Sequence, residues 1–284
     1  MKQSLFILLL SIPNLGMAQN NALSKDTVLH LFAQMRTETD GQKMVAASKL
    51  ETLFAAYYSN AENFEVELDS IPFLGQLSSS DKKIKMLCWN LALENGSFNY
   101  HCIIRHRPDK KTVVVTTLTD NDSDWDRITR KLLQPKNWYG ALYYNILTNK
   151  HRGKTYYTLL GWDGKDAITN RKIVDVLNVQ DKRISLGSSI FKADKRPAHR
   201  LVYQYANDAV MSLNFNQKEK MIVMDHLAPE DSRLTGQFQF YGPDLSYDGL
   251  QFKKGKWILI TDIFSKNPGL NNLPKEQGPG SFSD

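Results

Sequence analysis

Two cysteines, Cys88 and Cys102, are all that 284 residues contain, too few for a disulfide framework or a four-thiolate zinc site. The signatures of common chemistries are missing too: there is no GxSxG, no HExxH, no glycine-rich phosphate loop and no CxxC pair. "LGSSI" (Leu186 to Ile190) lacks the second glycine of a nucleophile elbow. No apolar run approaches the roughly 20 residues that span a bilayer. Charge of one sign does not dominate, at 36 Lys and Arg against 30 Asp and Glu. Nothing here calls for a cofactor, a resident metal or a nucleic-acid partner.

What is present is an ordinary globular composition, 42% hydrophobic and 23% charged, behind a distinctive start. "MKQSLFILLLSIPNLGMAQ" places Lys2 before an apolar run from Leu5 to Ile12, then Gly16-Met17-Ala18. That pattern predicts a secretory signal peptide over residues 1–18, cleaved after Ala18, and hence a periplasmic or secreted protein. No cysteine comes after the small residues, so a lipid anchor is not expected.

From Asp26 to about Asn60 the spacing is helical. Asp26 is the expected cap of a first helix carrying Val28, Leu31, Phe32 and Met35; Asp40-Gly41 interrupts, and a second helix carries Val45, Leu50, Leu53, Phe54 and Tyr57. Neither stripe can be buried alone, so both helices should pack on the strands C-terminal to them. From about Phe64 the period becomes two. "KMLCWNLALENGSFNYHCIIRH" reads as a hairpin about Asn95-Gly96 and "LQFKKGKWILI" as another about Lys254-Gly255; "ALYYNIL", "KTYYTLLGW", "HRLVYQY", "VMSLNF" and "KMIVM" read as further strands. Short connections make the sheet mostly antiparallel. "SDWDRITRKLL" predicts one helix starting at Ser123 to Asp126 and stopped by Pro135. The expectation is an α+β fold, predominantly antiparallel β as a meander, sandwich or small propeller-like array: helical residues 19–63, a β-rich domain over 64–266, and a disordered Pro-, Gly- and Asn-rich tail over 267–284.

The first hairpin's register decides the state of the cysteines. A two-residue turn at Asn95-Gly96 pairs Leu93 with Phe98, Leu91 with Tyr100 and Trp89 with Cys102, giving one wholly apolar face and separating the thiols. A three-residue loop sets Cys88 opposite Cys102 but mixes Trp89 with His101 and Leu91 with Asn99. Because a one-residue slip moves every side chain across the sheet, hydrophobic matching favours the first register and unbridged thiols.

Three stretches carry candidate chemistry. "MIVMDHLAPED" (Met221 to Asp231) holds Asp225 and His226, but neighbours on a strand point to opposite faces, so they are not a ready-made pair. A partner for His226 has to come from "YGPDLSYDGL", where Asp244 and Asp248 flank Ser246 and Tyr247; a carboxylate orienting His226 is the minimal acid-base or metal constellation. The plainer reading makes Pro243-Asp244 and Asp248-Gly249 turn chemistry. "DNDSDWD" (Asp120 to Asp126) imitates a calcium loop, but Trp125 and Lys131 stand where glycine and glutamate are needed. "LGWDGKD" could display Trp162 at a turn beside the carboxylates Asp163 and Asp166, with Tyr143, Tyr144, Tyr156 and Tyr157 nearby in sequence, as glycan-binding surfaces do, and Tyr247 is a further candidate ligand contact; the plainer reading makes strand aromatics core. Basic residues gather at Arg105 to Lys111, Lys150 to Lys154 and Lys192 to Arg200; such clusters suit acidic glycans or lipid head groups, and more simply are solvated loops.

"LSSSDKKIKMLCWNL", "YYTLLGWDGKD" and "KMIVMDHLAPED" with "YGPDLSYDGLQFKKGKW" together resemble a group of uncharacterised secreted proteins of Bacteroidetes. The resemblance implies export in a Gram-negative cell and assigns no activity. The expected function is that of a non-catalytic binding or envelope-associated module, whose partner is an envelope glycan or another envelope protein. The alternative is a hydrolytic or metal-dependent enzyme with its site around His226, Asp244 and Asp248.

Overall fold

The computed structural model describes residues 23–121, 128–192 and 198–263. The leader over 1–18, the helix start at Ser123 to Asp126, most of the "DNDSDWD" loop, the middle of the Lys192 to Arg200 cluster and the tail over 267–284 lie outside the described residues. The fold is α+β, with two N-terminal helices and mostly antiparallel sheets.

Helix α1 (Lys25–Thr37) is capped by Ser24, whose side chain accepts from the Thr27 amide, and not by Asp26. Helix α2 (Asp40–Tyr58) starts at Thr39, whose amide and hydroxyl meet Gln42 Oε1 at 3.4 and 2.8 Å. Asp40 and Gly41 thus open the second helix instead of breaking the chain. The buried stripe of α2 is Ala46, Ala47, Leu50, Phe54 and Tyr58, which leaves Val45 and Leu53 exposed.

Strands β1 (Gly75–Ser78), β2 (Ile84–Ala92), β3 (Phe98–His106) and β4 (Val114–Thr119) form a four-stranded meander. The second sheet contains β5 (Leu142–His151), β6 (Lys154–Asp163), β7 (Thr169–Gln180) and β8 (Arg183–Leu186). After β9 (Phe191–Lys192), strand β10 (Leu201–Ala206) returns to it on the far side of β7. The third sheet is β11 (Leu213–Asn216), β12 (Met221–Pro229), β13 (Tyr241–Lys253) and β14 (Lys256–Ile260), with β9 joining β14 in the one parallel pairing among the described strands.

These units stack as four layers. Val28, Phe32, Leu50 and Phe54 of the helices pack on Leu87, Trp89 and Ile103 of the first sheet. Its other face, with Met86, Cys88, Cys102 and Ile104, meets Tyr143, Leu159 and Ile173 of the second. The second sheet's remaining face, with Leu160, Val174 and Val176, meets Ile222, Met224, Leu250 and Trp257 of the third.

Burial on both faces explains the correction to the first hairpin. Cys88 pairs with Cys102, Trp89 with His101 and Leu91 with Asn99. The loop is the three residues Glu94 to Gly96, closed by the Leu93 amide on Ser97 O at 2.9 Å, with Gly96 at φ +80°. A register chosen to collect all apolar residues on one face fails because this sheet has no solvent face. His101 is accommodated on the helix side by stacking on Trp89, 5.1 Å away with planes 10° apart, and by Glu51 at 2.7 Å from its Nδ1. The two thiols are unbridged, their sulfurs 3.3 Å apart, and burial pushes the Cys102 thiol well up.

One ionic network ties the second sheet to its surroundings. Arg200 and Asp175 have fully buried side chains, with Nε 3.0 Å from Oδ2. Tyr139 donates to the same Oδ2 at 2.7 Å and lies 2.7 Å from the Tyr143 hydroxyl, which accepts from Trp138 Nε1 at 3.0 Å. The guanidinium also bonds the carbonyls of Ile128, Lys131 and Leu186. Gly187 is required there, because a Cβ would stand 2.7 Å from Arg200 Nη2.

Antiparallel pairing gives the stack two ends. At one, the Gly164 amide donates to Tyr100 Oη at 2.7 Å, and the first hairpin's loop meets the β6–β7 connection. At the other, His106 Nε2 donates to Asp181 O at 2.7 Å, Tyr157 donates to Asp81 Oδ2 at 2.8 Å, and the Lys254-Gly255 turn lies against His151.

Candidate functional site

Strands β12 and β13 pair in register from Met221 with Gln251 to Asp225 with Tyr247, then slip between Asp225 and Leu227. That bulge re-aims His226. Its Nδ1 lies 2.9 Å from Asp248 Oδ2, and Asp248 Oδ1 accepts from the Asp262 amide at 3.1 Å. The carboxylate is thus held from two sides, and it fixes the tautomer with the proton on Nδ1. The hydrogen bond to Asp248 raises the His226 pKa against partial desolvation, with the Asp248, Asp244 and Asp262 charges adding to the rise.

Asp225 takes no part. Its Oδ2 accepts from the Ser212 amide at 2.7 Å. Asp244 has the local role expected of turn chemistry: its Oδ1 accepts from the amide and hydroxyl of Ser246 at 3.0 and 2.7 Å, which holds its pKa below the usual range. Asp248 does not. It lies within β13, buried, and Gly249 beside it serves close packing, since a Cβ would stand 3.1 Å from both Met221 Sδ and Ile263 Cγ2. Of the triad His226, Asp244 and Asp248, the structure joins His226 and Asp248 by a direct bond.

The His226 side chain is 43% exposed against 12% for Asp248, so the imidazole stands open to solvent. The nearby hydroxyl of Ser246 is spent on Asp244. No group of three or more His, Cys, Asp or Glu residues among those described is arranged to hold a metal ion. A cleft of about 530 Å³ opens between α1 and α2, lined by Thr27, His30, Gln34 and Lys49, at the opposite side of the stack from His226. A carboxylate-oriented imidazole can exchange a proton or accept a hydrogen bond. Among the described residues, the nearby Ser246 hydroxyl is held by Asp244 and so is not poised as a nucleophile for this imidazole.

Trp162, Asp163 and Tyr247 are not gathered into one surface. Trp162 packs edge-on against Phe98, 5.2 Å between ring centres. Asp163 is 6% exposed, meets Arg171 Nη1 at 3.3 Å and accepts from the Tyr100 hydroxyl; burial drives its pKa up to about 6. Tyr247 covers Met221 and Ile263 on the outer face of the third sheet. One titratable group had no signal in the sequence beyond a cation inside an apolar strand: Lys172, 4.7 Å over the Tyr144 ring, has its pKa lowered by burial to about 8. No helix among the described residues is long and apolar enough to cross a membrane.

No protein family, no curated protein and no solved structure matches this chain.

Proposed function

We propose that the chain is an exported, non-catalytic binding module of a Gram-negative envelope. Export rests on the leader over residues 1–18 and on the resemblance to secreted proteins of Bacteroidetes. The observation that carries the non-catalytic reading is the state of His226: oriented by Asp248, open to solvent, and, among the described residues, without a third metal ligand grouped with it.

Thermal shifts of His226→Gln and Asp248→Asn, with and without divalent metals and envelope glycans, test this. The reading expects His226→Gln to change stability by about 1 kcal/mol and to leave every metal or glycan response intact. Loss of the same metal- or ligand-dependent shift in both variants, with the unliganded protein still folded, would establish the metal-dependent or hydrolytic alternative, which the carboxylate–imidazole bond favours. Export is read separately, by intact mass: the recovered protein begins at Gln19.

A further inference from the structure

The second end of the stack concentrates a charge that the composition hides. Turns of the first sheet expose Lys82, Lys83, Lys110 and Lys111 there. The second sheet adds Lys150, Arg152, Lys154, Lys182 and Arg183. The third adds Lys218, Lys220, Lys253, Lys254 and Lys256. Fourteen exposed cations therefore stand at these turns with four carboxylates, Asp81, Asp109, Asp181 and Glu219; Glu65 and Glu67 lie beside the first sheet's turns and are engaged by Lys85 and Arg107, so cations remain in excess well beyond the chain's overall ratio of 36 to 30.

Among the described residues, none of the fourteen has a carboxylate oxygen within 4.0 Å. Two of the four acids are already engaged: Asp81 accepts from Ser79 and Tyr157, and Asp109 from the amides of Lys111 and Thr112. Several cations also sit where the backbone disfavours them. Lys82 (φ 56°), Arg152 (φ 47°), Lys220 (φ 52°) and Lys254 (φ 49°) adopt the left-handed conformation, which Gly and Asn enter at lower cost. The hairpin apices are Arg152-Gly153 and Lys254-Gly255, where Asn-Gly is the favoured pair. Charge thus stands at the tips against local conformational preference.

We propose that this end docks the protein on an anionic lipid surface, with head-group phosphates facing the hairpin tips. The proposal rests on the export reading, which places the chain beside such surfaces, and it names the partner. Three sheets packed about 10 Å apart spread the tips over a broad cap in place of a single pocket. Twelve of the fourteen cations are lysines, flexible point charges suited to a diffuse field; Arg, the residue for bidentate phosphate contacts, supplies two. The large exposed apolar side chains, such as Val45, Val210 and Leu245, lie outside these turns, so the cap has no wedge to insert and binds by adsorption alone. It also offers no exposed aromatic platform for bases, which sets it apart from a single-strand nucleic-acid surface. Exposed acids at the opposite end, among them Glu94, Asp208, Glu230 and Asp244, orient the molecule tips-first in the field of an anionic surface.

Vesicle co-sedimentation of the chain, purified as the cell processes it, tests the proposal. Vesicles of phosphatidylcholine with and without one part in three of phosphatidylglycerol are compared at low salt and about 0.5 M salt, beside a duplex DNA at equal phosphate concentration. The expected result is binding to the anionic vesicles only, lost at high salt. The triple variant Lys154→Gln, Lys182→Gln, Lys253→Gln should weaken partitioning at least about tenfold. The control Lys136→Gln, Lys165→Gln, Arg233→Gln, which removes the same charge elsewhere, should change it less than about twofold. Equal binding to both vesicle types, equal loss in the two triple variants, or preferential retention on DNA at the same salt overturns the proposal. None of these outcomes bears on export, which the N-terminal mass decides independently.

Discussion

Asp163 and His226 both have raised pKa values in the folded chain, for opposite physical reasons. Burial disfavours the Asp163 carboxylate and moves it to about 6, so between the ordinary carboxylate pKa and about 6 the folded state holds more proton than the unfolded one. Stability from this group is therefore greatest in acid and falls as pH rises through that window. Asp163→Asn should remove that part of the slope, read from urea midpoints across pH 4 to about 7. Attraction by Asp248 favours the charged His226 imidazole. Its contribution is fully present below the ordinary histidine pKa and fades as pH rises through the raised value. The stability difference between the parent protein and His226→Gln should accordingly shrink from about pH 6 upward; a difference that grows with pH would contradict the assignment. That His226 needs a carboxylate from "YGPDLSYDGL" is legible in the sequence. Which carboxylate is not, because Asp248-Gly249 reads as a turn when its glycine in fact admits Met221 and Ile263.

At the scale of elements, hairpins whose tips carry a glycine are the most readable, and strands with polar residues the least. Lys253 pairs with Lys256 around Lys254-Gly255 as the pattern predicts. Strand β7, "TNRKIVDVLNVQ", escapes the pattern because Arg171, Lys172 and Asp175 interrupt its alternation; each is matched by a partner only tertiary structure supplies, namely Asp163, Tyr144 and Arg200. The basic clusters mislead in the same way. Arg105 and His106 read as part of a solvated loop, yet both are buried, with Arg105 3.6 Å over the Tyr58 ring and bonded to the carbonyls of Phe64 and Val66. Arg200, from the third cluster, is fully buried. Removing one partner of its ion pair strands the other, so Arg200→Met should cost about 3–5 kcal/mol. Equilibrium unfolding checks this, and Arg200→Met with Asp175→Leu should recover part of the loss. A single-variant cost below about 1 kcal/mol would mean that the network is not holding the sheet.

Across the whole molecule, the stack of helices and three sheets separates two kinds of surface. One end carries exposed acids such as Glu94, Asp208, Glu230 and Asp244; the other collects cations from every sheet. This polarity is invisible in the sequence, where the cationic turns are spread from Lys82 to Lys256 and look like independent solvated loops. Only antiparallel pairing brings them to one end, and only the stacking of layers sets the three groups side by side. On the proposed function, the working surface is this basic end, and His226 and Asp248 serve the fold. Hydrogen exchange of the protein bound to phosphatidylglycerol-containing vesicles tests that most directly. The predicted result is slowed exchange at the turns over residues 107–112, 151–154, 181–183 and 253–256, with residues 225–248 unchanged. Protection confined to residues 225–248, with the cationic turns exchanging as in the free protein, would contradict it.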